Sequence, residues 1–232
     1  MCGRTSLFLP QPEIERRFGA EFVEAWEPRY NIAPRQEVPT IRSRTSSRID
    51  QFEWGFRPHW VDDPADWPHP INARAETVAE KPAFRDAFRS NRCLVLADGF
   101  YEWQSTRDGT QPYRIELADR APFAFAGLWA EWEGNGTTHH SITIITTDSN
   151  AVVDPIHDRM PVMLQREEEA TWLSAEEHGS LQELLDPFPS DRLRAYPIST
   201  RVNTPSNDSP DIIDPIEPAS QSGLDDFTGN AG

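Results

Sequence analysis

The sequence predicts an α+β fold: a β-rich single domain with a barrel-like sheet and flanking helices. Short apolar or alternating runs bounded by Pro, Gly and Asp recur along the chain, as expected for strands. Stretches with helical periodicity are fewer and short. The 232 residues suffice for one domain with a substantial core, and no internal repeat of about 20 to 50 residues is present.

The elements are predicted from these local patterns. Strands are predicted at residues 38–41, 93–97, 122–129 and 141–147, and helices at 11–18, 82–89, 167–173 and 180–185. Pro12 suits the first turn of the first helix, where a proline sacrifices no intrahelical hydrogen bond. From Asn203 onward no basic residue occurs, and Pro, Ser, Asp and Gly dominate. We therefore expect a folded domain over residues 1–217 and a disordered acidic tail over 218–232.

The charge of the chain is strongly negative. There are 38 acidic residues against 22 basic ones, a formal net charge of −16, and Lys81 is the single lysine. Such acidity with almost no lysine is typical of proteins from a high-salt cytoplasm, where carboxylates hold hydration water. It argues against a generic nucleic-acid binder, but it leaves room for a local arginine-lined groove.

The number of cysteines and the hydropathy of the chain further narrow the class of protein. The two cysteines, Cys2 and Cys93, are too few for a disulfide framework, and no Cys and His pair has zinc-ligand spacing. We expect free thiols, no metal and no other cofactor. Since no run approaches the ~18 apolar residues of a membrane span and no signal peptide is evident, the expected location is the cytoplasm.

Cys2 is the most informative residue. Removal of Met1 would leave Cys2 with an α-amine and a thiol on adjacent carbons. The amine can condense with an aldehyde to an imine, and the thiol can close on the imine carbon to give a five-membered thiazolidine. A free α-amine has a pKa of about 7.7 to 8.0, so part of it is nucleophilic near neutral pH. From position alone, the simpler interpretation is that Cys2 is a small residue near a disordered start.

Polar residues at alternate positions mark a second segment. Asn72, Arg74 and Glu76 place an amide, a guanidinium and a carboxylate two residues apart, so an extended chain directs all three to one face. The alternative is a solvated strand that carries a salt bridge.

Two further segments carry candidates for proton transfer. Glu102 lies among Phe100, Tyr101 and Trp103, where partial burial would raise its pKa and suit it as a general acid. If the strand edge faces water, Glu102 is instead an ordinary exposed carboxylate. His157 precedes Arg159 by two residues and could move protons near neutral pH, although a histidine in such a turn is more often structural.

Aromatic residues cluster in a loop at residues 54–60. Aromatic side chains on a loop can stack on unpaired bases, at about 1 to 3 kcal/mol for each base. We place Trp54 in the core and Trp60 at the rim.

Together these segments resemble the SOS response-associated peptidase family, the abasic-site processing proteins that crosslink themselves to DNA. The resemblance covers nearly everything from Met1 to about Pro215. The matching stretches are residues 1–4, 30–34, 54–60, 72–77, 92–103, 112–115, 125–132, 146–147 and 156–164.

The resemblance implies a specific chemistry within a catalytic domain at residues 1–217. The family's N-terminal cysteine attacks the ring-opened aldehyde of an abasic deoxyribose in single-stranded DNA and ends as a thiazolidine. Carried onto this chain, Cys2 is the nucleophile, Asn72 holds the cysteine end and the ring, Glu102 is the acid and His157 assists ring opening. The implied DNA-binding residues are Gly3, Arg4, Trp60, Arg74, Trp103 and Arg159. The resemblance implies neither a metal nor a cofactor, and we expect a monomer.

The family name also records a proposed proteolytic activity. Its natural target here is the chain's own start, although methionine aminopeptidase could also remove Met1. One rival reading is a thiol hydrolase of the N-terminal nucleophile kind, with Cys2 attacking an amide and Asn72 helping to hold an oxyanion. Another is a single-stranded DNA-binding module whose cysteine is incidental. The acidic surface is the main departure from the family.

Overall fold

The part of the chain that the structure describes contains fourteen strands and three α-helices, besides short 3₁₀ helices. The structure is a computed structural model, and it describes residues 2–43, 47–107, 109–134, 136–175 and 181–217. The strands are β1 (Thr5–Leu7), β2 (Glu21–Phe22), β3 (Arg29–Ile32), β4 (Glu37–Ile41), β5 (Arg48–Trp54), β6 (Asn72–Arg74), β7 (Arg92–Ala97), β8 (Gly99–Thr106), β9 (Gly109–Leu117), β10 (Phe123–Gly134), β11 (Thr137–Asp148), β12 (Arg159–Pro161), β13 (Met163–Leu164) and β14 (Leu193–Pro197). The helices are α1 (Gln11–Phe18), α2 (Arg85–Ser90) and α3 (Glu169–Ser174).

Five strands close into a barrel, which confirms the predicted barrel-like sheet. The order is β11, β10, β7, β4 and β5, and β5 returns to β11 through a parallel pairing that aligns Ile142 with Trp54. Large apolar side chains fill the interior, so it is a packed core rather than a channel. Gly127 on β10 allows close packing there, because a Cβ atom would lie only 2.9 Å from the Cys93 sulfur. The barrel gives β6 and β12 a rigid edge along β11.

A second sheet of five strands, in the order β14, β9, β8, β1 and β3, packs beside the barrel. Successive residues of β8 point to opposite sides, as in any strand. Phe100 joins the main core, whereas Tyr101 joins a smaller cluster with Ile198, Val202 and Ile212. The C-terminal segment therefore covers the outer face of this sheet, and the opposite face looks toward the barrel.

The helices flank the sheets as predicted, but only the first has the predicted bounds, and the third spans Glu169–Ser174 rather than 167–173. The first helix matches, and it ends at Gly19, whose φ of 64° is the left-handed conformation that a helix terminus favours. The second begins at Arg85 rather than at residue 82, because residues 81–84 form turns instead of helix. The predicted helix at 180–185 includes Ser180, which lies outside the described residues, and Glu183–Leu185 form a 3₁₀ turn.

Two strands run longer than predicted. β10 and β11 continue beyond residues 122–129 and 141–147, because they form a hairpin whose far end carries alternating polar residues such as Glu131 and His140. Among the described helices, none has the length and apolar character to span a membrane. The predicted acidic tail at 218–232 lies outside the described residues.

Candidate active site at the start of the chain

Cys2 is held against β8 by the antiparallel pairing of β1. Thr5 lies opposite Phe100, and the Tyr101 amide donates to the Arg4 carbonyl at 3.0 Å, so the chain runs back along β8 toward Glu102. The Cys2 side chain is fully buried, and its sulfur lies 3.9 Å from the Arg4 carbonyl oxygen. Burial, and next the negative charge of Glu102, raise the pKa of the Cys2 thiol. The thiol is therefore neutral near pH 7.

Glu102 lies on the same face of β8 as Phe100 and is only 2% exposed. Burial raises its pKa to about 7; the positive charge of the chain terminus lowers it, and the nearby Asp158 carboxylate raises it. A carboxyl group with this pKa is present in both protonation states near neutral pH. It can give a proton in one step and take one in the next.

His157 lies in the loop that precedes β12. Its Nδ1 atom accepts from the Arg159 amide at 3.0 Å and lies 3.0 Å from the Asp158 carboxylate. Gln104 donates to the Pro155 carbonyl at 2.8 Å, which ties this loop to β8. Burial, followed by the positive chain terminus, lowers the pKa of His157. The neutral imidazole therefore predominates at pH 7 and can accept a proton.

Asn72 begins β6, which runs parallel to β11 with Asn72 beside Ile144. Its Nδ2 atom donates to the Ile144 carbonyl at 3.5 Å. Its Oδ1 atom is buried and has no hydrogen-bond partner among the described residues. A buried acceptor without a donor costs about 1–3 kcal/mol, so a ligand amine or hydroxyl group would be favoured there.

The three candidate arginines have different surroundings. Arg74 is exposed at the end of β6. Arg159 makes a two-pronged ion pair with Glu76, reaches Asp148 at 2.8 Å, and donates to the Thr146 carbonyl at 2.7 Å. Phosphate binding by Arg159 would therefore require exchange with at least one carboxylate. The predicted extended segment ends at Arg74, because the following residues form turns, so Glu76 does not continue the strand face. Glu76 instead forms its salt bridge with Arg159.

Arg4 is buried and contacts the protein itself. Its Nη1 atom donates to Asn31 Oδ1 at 2.6 Å and to the Val202 carbonyl at 2.5 Å, and its guanidinium lies 5.9 Å from the Trp103 ring centroid. These contacts anchor the start of the chain to the C-terminal segment. Gly3, half-buried, joins Arg4 to Cys2. Direct DNA contact by Gly3 or Arg4 stays a prediction.

The two candidate tryptophans lie in separate places. Trp103 is partly buried on the outer face of β8, and its indole N–H donates to Asn203 Oδ1 at 2.7 Å. Trp60 is 47% exposed and packs edge-on against Trp67, with the two ring centroids 5.1 Å apart. Trp54 is fully buried, as predicted.

Strand register shows that Trp60 is remote from Arg74. Trp60 shares a surface hollow with Ala130, which pairs with Ser141 on β11. Arg74 pairs with Thr146, five residues further along the same strand, or roughly 17 Å away. The structure thus brings Cys2, Glu102 and His157 into one neighbourhood, with Asn72, Arg74 and Arg159 along the adjoining end of β11, and leaves Trp60 outside it.

Sequence reasoning missed two groups at this site. Asp158 influences Glu102, and the Thr146 hydroxyl is buried without a partner among the described residues. An acidic residue in a turn and a threonine in a strand are too common to stand out, so no local signal marks either. The described residues contain no group of three or more His, Cys, Asp or Glu side chains that could hold a metal ion.

Comparisons with known proteins identify relatives along most of the chain. The family model for the SOS response associated peptidase (SRAP) matches residues 1–205. The abasic site processing protein YoqW of Bacillus subtilis is 41% identical over 222 residues, which cover 92% of this chain and 99% of that protein. The abasic site processing protein HMCES of Xenopus tropicalis is 30% identical, covering 92% of this chain and 78% of that protein. A crystal structure of a Bacteroides thetaiotaomicron protein has a TM-score of 0.86 at 29% identity, covering 93% of this chain and all of that one.

Proposed function

The chain belongs to the SOS response-associated peptidase family, and we propose that it processes abasic sites in single-stranded DNA by bonding its mature N-terminal cysteine to the ring-opened sugar. The observation that carries this proposal is the placement of Cys2 beside Glu102, a buried carboxyl group whose pKa is raised to about 7. The names of the relatives, which process abasic sites, supply the substrate class.

The first step joins the cysteine amine to the sugar. Once Met1 is removed, the amine of Cys2 adds to the aldehyde carbon and gives a carbinolamine. Protonated Glu102 gives its proton to the carbinolamine hydroxyl, which leaves as water while the C=N bond of an imine forms. The Asn72 Oδ1 atom, which lacks a partner among the described residues, would accept an N–H from the amine and orient it. Neutral His157 assists opening of the sugar ring.

The second step closes the ring. The thiol sulfur adds to the imine carbon, and the thiol proton passes to the nitrogen, directly or through the Glu102 carboxylate. The products are a thiazolidine and one water, so no oxidant, metal or cofactor is consumed. An imine at this carbon is also the intermediate of lyase-type strand cleavage, and ring closure diverts it to a stable crosslink.

Contacts to DNA would be few and local. Arg74 is exposed at the end of β6, and Arg159 would join it by exchanging a carboxylate partner for a phosphate oxygen. Two placed guanidinium groups suffice despite the net charge of −16, because phosphate contacts act at short range in salt. Arg4 would act by holding the chain start, and Trp103 by stacking on a flanking base. Trp60, which lies outside this neighbourhood, would reach only a base further along the strand.

The raised thiol pKa distinguishes this proposal from the thiol hydrolase. A hydrolase needs a thiolate that attacks an amide, and thiolates form where the pKa is lowered. Burial and Glu102 do the opposite at Cys2. In the crosslinking route the imine is the strong electrophile, so a neutral thiol that loses its proton during attack is sufficient. Removal of Met1 by the protein itself or by an aminopeptidase is compatible with the route.

The proposed catalytic domain spans residues 1–217, acting as a monomer in the cytoplasm. The bridge between Ile198 and Pro215 supports its C-terminal limit, because it joins this segment to the sheet.

The test is a crosslinking reaction. Purified protein is mixed with single-stranded DNA that carries one abasic site, and with intact DNA of the same sequence. We expect a denaturant-resistant band with the abasic strand only, and peptide mass spectrometry should locate the bond on Cys2. A bond on Lys81 or Cys93, or equal labelling of intact DNA, would refute the proposal.

A further inference from the structure

A cavity separate from the candidate active site lies on the face of the five-stranded sheet that the C-terminal segment covers. Its volume is about 630 Å³, within the range of sites for small organic ligands. Phe8, Leu9 and Ile213 supply an apolar wall. Phe8 follows Cys2 by six residues along an extended segment, so the cavity is on the order of 20 Å from the reaction site. Neither the proposed crosslinking route nor its DNA contacts use this cavity.

Three arginines converge on one carboxylate at the cavity. Arg114 Nε donates to Glu116 at 2.8 Å, Arg194 donates to the same carboxylate through Nε and Nη2, and Arg120 approaches it to 4.0 Å. Arg114 is fully buried and also paired with Asp98 at 3.2 Å. Arg194 and Arg120 are 38% and 75% exposed, and between them they share one carboxylate. Two outer guanidinium groups therefore share the single negative charge of Glu116, so the three groups together carry a net positive charge.

The two outer arginines retain donors for a ligand. The Glu116 contacts of Arg194 use Nε and Nη2, and its Nη1 atom has no partner among the described residues, so it can donate to a ligand. Arg120 sits in a turn with φ of 61°, a left-handed conformation that few residues other than glycine adopt without strain. The Arg120 amide donates to the Leu117 carbonyl at 2.9 Å, which holds this turn at the cavity. Backbone strain of this kind often accompanies a functional role.

A carboxylate completes the lining. Asp214 of the C-terminal segment borders the cavity, and among the described residues it forms no ion pair with Arg120 or Arg194. It can accept hydrogen bonds from the amino and ring N–H groups of a nucleobase, as carboxylates do in base recognition. Cationic donors, an apolar wall and a separate acceptor are the three features that a nucleotide requires.

We propose that this cavity binds a nucleoside monophosphate, with the phosphate on Arg120 and Arg194 and the base against Phe8 and Ile213, its donor edge toward Asp214. Guanine fits best, since its N1–H and N2 amino group form a pair of donors suited to one carboxylate. The site is independent of the abasic-site reaction, because a nucleotide without an aldehyde cannot react with Cys2.

The test is calorimetric titration of the full-length protein at low ionic strength with deoxyguanosine 5′-monophosphate, deoxyguanosine and inorganic phosphate. We expect the nucleotide to bind at least about tenfold more tightly than either fragment. Arg120→Gln and Arg194→Gln should each weaken it on the order of tenfold, since a charge-assisted contact is lost. The control Arg85→Gln, on α2, should leave the affinity unchanged. Melting curves establish that every variant is folded.

Three outcomes would overturn the proposal. The first is no nucleotide binding up to about 10 mM, the weak limit of a specific small-molecule site. The second is inorganic phosphate binding as tightly as the nucleotide, which would leave the apolar wall and Asp214 without a role. The third is unchanged nucleotide affinity in both arginine variants, which would place binding elsewhere. Each can occur while abasic DNA still crosslinks to Cys2, so failure here is distinct from failure of the proposed function.

Discussion

Two sets of buried ionisable groups lie along strands β1 and β8: the Cys2–Glu102 pair, and the Arg114 cluster, which is Arg114 with its hydrogen-bond acceptors. The two sets differ in the charge state that the protein favours. Arg114 donates to Ser6, Tyr101, Asp98 and Glu116, so its guanidinium is surrounded by acceptors. Burial alone would lower the pKa of Arg114, but the charges of Tyr101 and Asp98, with the Glu116 hydrogen bond, raise it overall. The protein thus stabilises the charged form of this side chain.

At the Cys2–Glu102 pair the protein instead disfavours charge. Burial raises the pKa of both groups, and the Glu102 charge adds to the effect on Cys2. Groups held away from their preferred charge state exchange protons readily with a substrate. Burial alone therefore does not distinguish the proposed reactive pair, since Arg114 is as fully buried as Cys2 and slightly more buried than Glu102. What distinguishes the pair that we propose to react is that burial opposes its charged forms.

The largest expected effect comes from Cys2→Ser. The variant keeps the amine, so a transient imine that borohydride can trap should still form. The heat-stable crosslink should disappear, because oxygen closes a less stable ring than sulfur. A denaturing gel with and without borohydride separates the two species. A heat-stable adduct in Cys2→Ser would show that the thiazolidine is not the product. The Cys2 thiol would then no longer belong to the reactive pair that is compared with the Arg114 cluster.

Glu102→Gln should slow imine formation by a factor on the order of 10² to 10⁴, the usual contribution of a general acid. For the wild type we expect the rate to fall as the pH rises through about 7, where Glu102 loses its proton. Single-turnover time courses at saturating abasic DNA measure both effects, with Glu80→Gln, an exposed carboxylate, as control. If Glu102→Gln reacted at the wild-type rate, the acid would have to be another group.

Arg114→Met tests the contribution of the Arg114 cluster to stability. It leaves Asp98 without its guanidinium partner in a buried setting, and loss of one member of a buried pair costs about 3–5 kcal/mol. The melting temperature should fall by roughly 10 °C. The exposed pair of Arg85 with Asp86 provides the control, since Arg85→Met should change stability by less than about 1 kcal/mol. At a temperature where the protein is folded, the crosslinking rate should be unchanged, and a lost rate would show that the two clusters are coupled.

The stability of the wild type should also depend on pH through Glu102. Its pKa is raised from 4.5 in the unfolded chain to about 7 in the folded one, so the folded state binds more protons between these values. Stability from this group is complete below pH 4.5 and is lost as the pH rises through 7, by about 3 kcal/mol. Glu102→Gln has no such dependence, and urea unfolding at pH 5 and pH 8 should find the variant relatively more stable at pH 8. An identical pH dependence in both proteins would contradict the raised pKa.

Much of the fold could be predicted from sequence, because its signals are local. The apolar run at 93–97 became β7, and the first helix has the predicted bounds. The extensions of β10 and β11 could not be predicted from local patterns. Their polar residues adopt strand conformation because the two strands pair with each other in a hairpin. The second helix was predicted three residues too early because the turns at 81–84 depend on surrounding packing rather than on periodicity.

Sequence analysis proposed residues for the site but could not predict their contacts. The order of Cys2, Asn72, Glu102 and His157 carried the resemblance to the family. The partners of Arg4 could not be predicted, because Val202 is 198 positions away and a strand pattern contains no information on such contacts. The same holds for the ion pair between Arg159 and Glu76, which joins two segments that sequence analysis treated separately.

The smallest expected effect comes from Arg74→Ala, and it sharpens the comparison by separating binding from chemistry. Arg74 is exposed at the end of β6, where we propose that it contacts a phosphate, so its loss should raise the Kd for abasic DNA on the order of tenfold and leave the rate at saturating DNA unchanged. Loss of one phosphate contact should also reduce the dependence of log Kd on log salt by about 0.7. Arg16→Ala on α1 makes the same charge change at an exposed site and should leave the salt dependence unaltered. Titration of a non-reactive tetrahydrofuran analogue in single-stranded DNA measures Kd without crosslinking. If Arg74→Ala instead lowered the rate at saturation with Kd unchanged, Arg74 would act on the reacting atoms, and the reactive site would extend from the buried pair to the surface.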